Sequence, residues 1–263
     1  VRLVRPSQGD HDRVDAAARE EGEPPMTECQ TNDIRRMPGT ASHAVPGIAP
    51  EVTPGPVPGA APSPEAYYGE RYAMLLAARQ QMDDLIEEFS RSRSESDDLK
   101  PVVYHTSRVK SPASLMEKIA RKGSCGTTFD DALAVGINDI VGLRVNCAFV
   151  DDVYATSAWV RSRDEVEVLN EKDYIAHPKP NGYRSLHLIV RLHRGAAALL
   201  PAVEIQLRTI ATDFWATLEH KIKYKKTIEN PELMQAELKR CADEIAAVDL
   251  SMQAIRNVIR DAG

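Results

Sequence analysis

Hydrophobic and polar residues alternate along several short stretches of the chain, and a period of two predicts β-strands with one buried face. The clearest stretch is 203–208, where aliphatic residues occupy the odd positions and polar residues the even ones. Alternation and β-rich composition together predict five strands, over 102–109, 140–149, 166–169, 184–192 and 202–209.

Apolar residues spaced three and four apart predict helices between and after these strands. The longest predicted helix follows Asn230-Pro231 and continues to the end of the periodic pattern. The predicted helices cover roughly 66–90, 111–122, 153–161, 212–224 and 231–260. Strands and helices that share one stretch of chain in this way indicate a single α+β domain.

The first part of the chain differs in composition from the rest. Residues 1–66 hold 11 of the 17 prolines and contain no Phe, Trp or Tyr. A segment without aromatic residues buries too little apolar area to offset its ordering entropy. We therefore predict a disordered, proline-rich tail over 1–66 and a folded domain over 67–263.

Overall charge and hydrophobicity narrow the class of protein. The formal net charge is −6, which argues against a protein that coats nucleic acid, although a local basic groove is compatible with it. No apolar run approaches the roughly 18–20 residues of a membrane span, and the first residues lack the apolar core of a secretory signal. The four cysteines include no C-x-x-C pair. We expect a cytoplasmic protein without a membrane segment.

The polar face of the 203–208 strand gathers side chains that can do chemistry. Glu204, Gln206 and Arg208 project together because side chains alternate faces along a strand. A solvated sheet face is the simpler interpretation of one such strand. The preceding strand alternates as well, however, and a hairpin between the two would bring His187 near Glu204. This convergence favours a functional site.

A turn signal and an aromatic residue lie just before that preceding strand. Asn181-Gly182 predicts a turn, and Tyr183 follows it directly. Tyr183 is either a packing aromatic or a ring that stacks on a nucleotide base, an interaction of about 1–3 kcal/mol. Lys179, before the turn, is placed to reach a phosphate.

A basic cluster lies upstream of these motifs. One strand face and one helix face carry it, and the start of the helix near Ser111 also offers free backbone N–H groups to an anion. A solvated basic face explains the pattern equally well. The cluster consists of Arg108, Lys110, Ser114, Lys118, Arg121 and Lys122.

Asp139 immediately precedes a predicted strand. A carboxylate at a strand end often only caps the chain. Paired with Glu204 across the sheet, Asp139 would instead suit Mg²⁺, which typically takes one or two protein carboxylates and completes its shell with phosphate oxygens.

Taken in order, these motifs resemble the synthetase domain of RelA/SpoT-type alarmone enzymes, and most closely the small alarmone synthetases. The resemblance extends from about residue 66 to residue 260 and includes DIVGLR at 139–144, KPNGYRSLH at 179–187, VEIQLRT at 203–209 and DFWA at 213–216. It implies a mixed five-stranded sheet flanked by helices, similar to nucleotidyltransferases, with C-terminal helices.

The resemblance also implies an activity. A GTP pyrophosphokinase of this type transfers the β,γ-diphosphate of ATP to the 3′-OH of GTP or GDP, with Mg²⁺ as cofactor. Asp139 and Glu204 would hold Mg²⁺, and Glu204 would also activate the 3′-OH. Tyr183 would stack on the acceptor guanine. The other acceptor-binding residues implied are Lys179, Asn181, His187 and Gln206.

The ATP-binding residues follow from the same resemblance. Arg108 and Arg144 would enclose the adenine. The residues implied for the rest of the ATP site are Lys110, Ser114, Lys118, Arg121 and Lys122.

Two other functions remain open on the sequence. The chain could be a catalytically silent regulator of the same fold that binds nucleotide or RNA, or a nucleotidyltransferase that acts on another acceptor. The resemblance further suggests a homotetramer and regulation by a bound alarmone or by single-stranded RNA.

Overall fold

A computed structural model describes residues 62–94, 100–223 and 230–262. The predicted tail lies almost wholly outside these residues, so its boundary at residue 66 stays a prediction. The first described element, helix α1 (Pro64–Tyr68), begins just inside the predicted tail. Its N-cap is Ser63, whose hydroxyl accepts a hydrogen bond from the backbone N–H of Ala66.

The predicted helix over 66–90 is two helices. Gly69 ends α1 with φ at +56°, a value that favours glycine, and α2 (Arg71–Ser94) begins two residues later. One stripe of α2 is fully buried, because apolar residues recur every three or four positions along it. The stripe consists of Leu75, Ala78, Met82, Leu85, Ile86 and Phe89.

The five predicted strands form one mixed sheet in the order β1-β2-β5-β4-β3. Strands β2 and β5 are parallel neighbours, and the other three pairings are antiparallel. This confirms the predicted fold class. The strands are β1 (Val102–Val109), β2 (Val141–Cys147), β3 (Val166–Asp173), β4 (Leu186–Leu192) and β5 (Val203–Thr209).

Alternation along the central strands separates a core face from a polar face. On β5 the aliphatic positions Val203, Ile205 and Leu207 are at most 1% exposed, as the sequence predicted. Helix α2 packs on β1 and β2, and α5 (Val150–Arg161) packs on β2, β3 and β5. Their apolar side chains bury the core face, so the polar face of the sheet stays available for a site.

The structure departs from the prediction at three further elements. Strand β3 continues to Asp173, four residues beyond the predicted end, because hydrogen bonds to β4 rather than an apolar pattern define it. A short helix α4 (Phe129–Ala134) was missed, although Thr128 and Asp131 form a capping box at its start. The connection after β4, predicted as a turn, contains a 3₁₀ helix, Gly195–Leu199.

Three further helices complete the described chain. Helix α3 (Pro112–Arg121) follows β1, and α6 (Ile210–Lys223) continues directly from β5. Helix α7 (Pro231–Ala262) packs on α6, where Trp215 donates a hydrogen bond to the carbonyl of Leu238. None of the helices among the described residues is long and apolar enough to span a bilayer.

Candidate active site

Two pockets open on the polar face of the sheet. The first, here the Arg108 pocket, lies over β1 and β2 and measures about 160 Å³. Both arginines that the resemblance assigned to the adenine line it, Arg108 from β1 and Arg144 from β2. Ligand pockets usually measure about 300–1,000 Å³, so this one must widen at its rim to enclose a nucleotide.

The second pocket, here the Lys179 pocket, measures about 420 Å³ and lies over β3, β4 and β5. Lys118 and Lys122 from the predicted donor site line it, together with Lys179 and His187 from the predicted acceptor site. Burial and the neighbouring charge of Lys172 lower the pKa of Lys179.

Three side chains line both pockets, namely Asp139, Glu204 and Gln206. Gly142 and Glu204 are opposite each other in the parallel pairing of β2 and β5. Asp139, just before β2, therefore lies with Glu204 at the place where the two pockets meet, here called the junction. The pockets are thus continuous through two carboxylates, which is the arrangement needed when two bound molecules exchange a group.

Asp139 is held by two lysines. Lys110 and Lys118 each place Nζ 2.8 Å from its Oδ2. Burial raises the pKa of Asp139, but hydrogen bonds from the two lysines outweigh it, so the pKa is below its ordinary value. Asp139 is therefore an anion at neutral pH.

Glu204 is held through both of its oxygens. His187 Nδ1 lies 3.2 Å from Oε1, and the amide of Gln206 donates to Oε2 at 2.9 Å. Burial and the charge of Asp139 raise the pKa of Glu204, while the contacts with His187 and Gln206 lower it, and the net shift is downward. Glu204 is therefore also an anion at neutral pH, the form that can bind a cation or accept a proton.

The junction fits a magnesium ion that shares its coordination with phosphates. Buried Asp139 Oδ1 accepts no hydrogen bond from any described residue. A buried carboxylate oxygen without a donor suits a cation. No group of three or more His, Cys, Asp or Glu side chains occurs in the described ranges with the geometry of a metal site. Two carboxylates that rely on substrate oxygens are typical of Mg²⁺ rather than of Zn²⁺.

The loop between β3 and β4 carries the other predicted acceptor residues. Gly182, at φ +88°, turns the chain close to α7, and the Asn181 side chain accepts a hydrogen bond from Tyr183 N–H. Arg184 forms a 2.8 Å ion pair with Asp243 of α7. The C-terminal helix α7 therefore packs against the loop and holds it in place.

Five predicted site residues line neither pocket. One of them, Lys110, still reaches the junction through its ion pair with Asp139. Ser114 hydrogen-bonds to Ser111 in the first turn of α3, and exposed Arg121 lies 3.9 Å from Glu117. Asn181 donates to Glu219. Tyr183 is half-buried, with the Lys179 ammonium 5.1 Å from its ring centroid.

Sequence reasoning missed residues on both sides of the junction. Asn170, Lys172 and Tyr174 line the Lys179 pocket, because β3 and the residue after it reach farther than predicted. Asp213 of α6 lies 3.0 Å from Arg208 and 3.5 Å from Arg144. Burial and repulsion from Arg208 lower the pKa of Arg144. In the sequence, the only indication that Asp213 belongs to the site was its position in the DFWA motif.

Two pockets lined by cationic side chains thus meet at a pair of carboxylates on one face of the sheet. This is the arrangement of an enzyme that transfers phosphoryl groups between nucleotides. Comparison with known proteins gives the family. Residues 107–229 match the family model described as the region found in RelA/SpoT proteins. GTP pyrophosphokinase YwaC of Bacillus subtilis is 40% identical over 161 residues, which are 60% of this chain and 76% of YwaC.

Solved structures agree with this match. Small alarmone synthetase 1 of Bacillus subtilis, bound to its product pppGpp, superposes with a TM-score of 0.62 at 32% identity over 71% of this chain and 95% of that one. The same enzyme bound to AMPCPP gives a TM-score of 0.57 at 29% identity, over 72% and 95% of the two chains.

The chain belongs to the RelA/SpoT family and, within it, to the small GTP pyrophosphokinases. The predicted family and the predicted class of enzyme are confirmed.

Proposed function

We propose that this chain transfers the β,γ-diphosphate of ATP to the 3′-OH of GTP or GDP. One observation carries the proposal, namely that Asp139, Glu204 and Gln206 line both pockets. A donor in the Arg108 pocket and an acceptor in the Lys179 pocket would meet at these residues. Small alarmone synthetase 1 of Bacillus subtilis, which was solved with AMPCPP and with pppGpp, supports this choice of substrates.

The donor is ATP, with its adenine between Arg108 and Arg144 and its phosphates directed to the lysines of the junction. Lys110 and Lys118 now neutralise Asp139. When a polyphosphate enters, these ammonium groups can turn to its oxygens, so the cationic charge is already in place. Such charge stabilises a transition state that spreads negative charge over phosphate oxygens.

The acceptor is a guanosine nucleotide that enters the Lys179 pocket, where Lys179 would contact its phosphates. Its guanine would stack on Tyr183, which lies outside the described lining of that pocket. Glu204 accepts the proton of the 3′-OH. The 3′-oxygen then bonds to the β-phosphorus of ATP, the bond from that phosphorus to the α,β-bridging oxygen breaks, and AMP leaves with the bridging oxygen. Mg²⁺, held by Asp139 and Glu204, would screen the charge that repels the incoming oxygen.

The catalytically silent alternative is disfavoured by the junction itself. Both carboxylates are present, and each contacts its lysine or histidine partners. The two arginines proposed for the adenine line the Arg108 pocket. The cytoplasmic location stays a prediction from the sequence. Residues 67–263 are the proposed catalytic unit, since the described lining of both pockets lies within 106–206.

An acceptor panel tests the proposal. Purified protein is incubated with ATP, Mg²⁺ and one of GTP, GDP, CTP or UTP, and the nucleotides are separated by anion-exchange chromatography. We expect a new, more highly charged product with GTP and GDP only. Nucleotide binding without any product would favour the silent regulator, and transfer only to a pyrimidine nucleotide would favour the other acceptor.

The chain also self-associates, in our proposal, through α7. Val248, Met252, Ile255 and Ile259 recur on one side of this helix, and each is more than half exposed. An exposed apolar stripe of this kind is typical of a protein–protein interface. The predicted homotetramer would bury it. Regulation by a bound alarmone or by single-stranded RNA stays a prediction from the resemblance.

Replacement of Ile255 by glutamate should weaken the association, because a charge would enter the apolar stripe. Light scattering coupled to size exclusion should show a mass above one chain for the unchanged protein and a lower mass for Ile255→Glu. Ala254→Glu adds the same charge at an exposed position beside the stripe and should keep the larger mass. An unchanged protein that runs as a single chain would contradict the proposal.

A further inference from the structure

Arg208 contacts Gln206, which holds Glu204, and Tyr183, which contacts the other residue that holds it, His187. The predicted site residues did not include Arg208. Its side chain is buried, with a relative exposure of 5%. Nη2 lies 2.7 Å from the Tyr183 hydroxyl and 2.8 Å from Gln206 Oε1, while Nη1 lies 3.0 Å from Asp213. Each contact joins a guanidinium N–H to an oxygen, as a group with donors only requires.

The first connection from Arg208 to Glu204 passes through Gln206. The Gln206 carbonyl oxygen accepts from Arg208, so its amide nitrogen faces Glu204 and donates to Oε2 at 2.9 Å. Arg208 can only donate and ionised Glu204 can only accept, so these neighbours fix the orientation of the amide. Positions 204, 206 and 208 share one face of β5, which makes this connection possible.

The second connection passes through Tyr183 and His187. The Tyr183 oxygen accepts from Arg208, and its O–H lies 2.8 Å from His187 Nε2. His187 Nδ1 lies 3.2 Å from Glu204 Oε1. Because the carboxylate only accepts, Nδ1 must carry the hydrogen. A neutral ring protonated there has a free lone pair on Nε2, which accepts the Tyr183 hydroxyl hydrogen.

The other tautomer loses a bond. A ring protonated only on Nε2 would present the lone pair of Nδ1 to the carboxylate, and its Nε2 could not accept the Tyr183 hydroxyl hydrogen. The neutral Nδ1–H form satisfies all three contacts from Arg208 to Glu204.

We infer that Arg208 is a positioning residue that fixes Glu204 through these two connections, and that the Tyr183 hydroxyl acts in one of them. His187 then orients Glu204 rather than binding the acceptor, because both of its ring nitrogens are engaged by the protein. Each Glu204 oxygen has two lone-pair directions, and the connections use one on each. The other directions stay available to the 3′-OH and to a cation.

This inference rests on the proposed function, in which Glu204 accepts the 3′-OH proton. Tyr183→Phe keeps the ring but removes the hydroxyl that joins Arg208 to His187. We expect kcat to fall by roughly tenfold, the order of one lost hydrogen bond, with the KM for GTP little changed. Arg208→Lys keeps the charge beside Asp213, but lysine lacks the planar guanidinium group that serves both connections. Its kcat should therefore fall further than that of Tyr183→Phe.

A tyrosine elsewhere provides the matched control. The hydroxyl of Tyr154 on α5 donates to Asp173 at 3.0 Å, outside the lining of both pockets. Tyr154→Phe therefore removes one hydroxyl hydrogen bond and should leave kcat unchanged. If Tyr183→Phe matches this control in kcat, or changes only the KM for GTP, the hydroxyl has no positioning role.

A second measurement needs neither turnover nor nucleotide. Ring ¹⁵N chemical shifts of His187, assigned by loss of the signals in His187→Gln, report which nitrogen carries the hydrogen. In the nucleotide-free protein we expect the Nδ1–H form, with Nε2 accepting the Tyr183 hydroxyl hydrogen. In Tyr183→Phe the Nδ1–H form should persist, while the Nε2 signal moves to the position of a ring nitrogen that accepts no hydrogen bond from tyrosine. An Nε2–H ring in the unchanged protein would overturn the inference. Because this readout is independent of activity, a protein that makes no product would contradict only the proposed function.

Discussion

Glu204→Gln should lower kcat for diphosphate transfer by at least about 100-fold, since general bases contribute roughly 10²–10⁴ in rate. Glutamine has nearly the same shape, but it neither accepts the 3′-OH proton nor offers a cation two anionic oxygens. Its amide nitrogen would also face a donor, either His187 Nδ1–H or the Gln206 amide. The loss should therefore appear in kcat more than in either KM.

Initial rates at saturating ATP and GTP measure this effect, and thermal unfolding shows whether the variant is folded. Glu167→Gln is a matched control, because Glu167 lies on β3 and pairs with Arg191 at the surface. It loses the same charge outside the junction and should keep the full rate. A folded Glu204→Gln that retains a rate within a few fold of the unchanged protein would remove Glu204 from the chemistry.

Gly182→Ala should raise the KM for GTP by about tenfold or more while the KM for ATP changes little. A Cβ at this position would lie 2.5 Å from Ala242 Cβ and 3.1 Å from the backbone of Lys239, both on α7. The φ of +88° adds strain of its own, of order 1–2 kcal/mol for a residue with a side chain. Either the loop or α7 must move to relieve the clash. Movement of the loop would displace Tyr183, on which the acceptor guanine is proposed to stack.

Two further variants separate the clash from the backbone strain. Gly123 has φ +78° and no atom within 4 Å of an added Cβ, so Gly123→Ala carries similar strain without a clash and should leave the KM for GTP unchanged. Adding Ala242→Gly to Gly182→Ala removes the nearest clash and should restore part of the GTP affinity. An equal rise in KM for Gly123→Ala, or no recovery in the double variant, would exclude the packing of the loop on α7 as the cause.

The sequence predicted the centre of the sheet well because burial imposes a visible pattern there. Strand β5 is buried on one face, so alternation alone was enough to assign Glu204 and Gln206 to the other face. Parallel pairing with β2 then explains why Asp139 reaches the same junction. The family motifs supplied the chemistry of these positions.

The edges of the site were less predictable. Strand β3 is an exposed edge strand, and its polar second half has no apolar period, so Lys172 and Tyr174 were left outside the predicted site. Arg208 was assigned to the correct face, but its contacts with Tyr183 and Asp213 depend on side-chain rotamers and on the position of α6. Such contacts are tertiary and leave no local signal.

The central claim is that ATP and a guanosine acceptor meet at Asp139 and Glu204. The most direct test follows ATP labelled in its γ-phosphate, with GTP and Mg²⁺, and quantifies every product. We expect AMP and a labelled guanosine product in equal amounts, and almost none of either with Glu204→Gln. Formation of ADP in place of AMP, release of the label as inorganic phosphate, or equal turnover by Glu204→Gln would contradict the account.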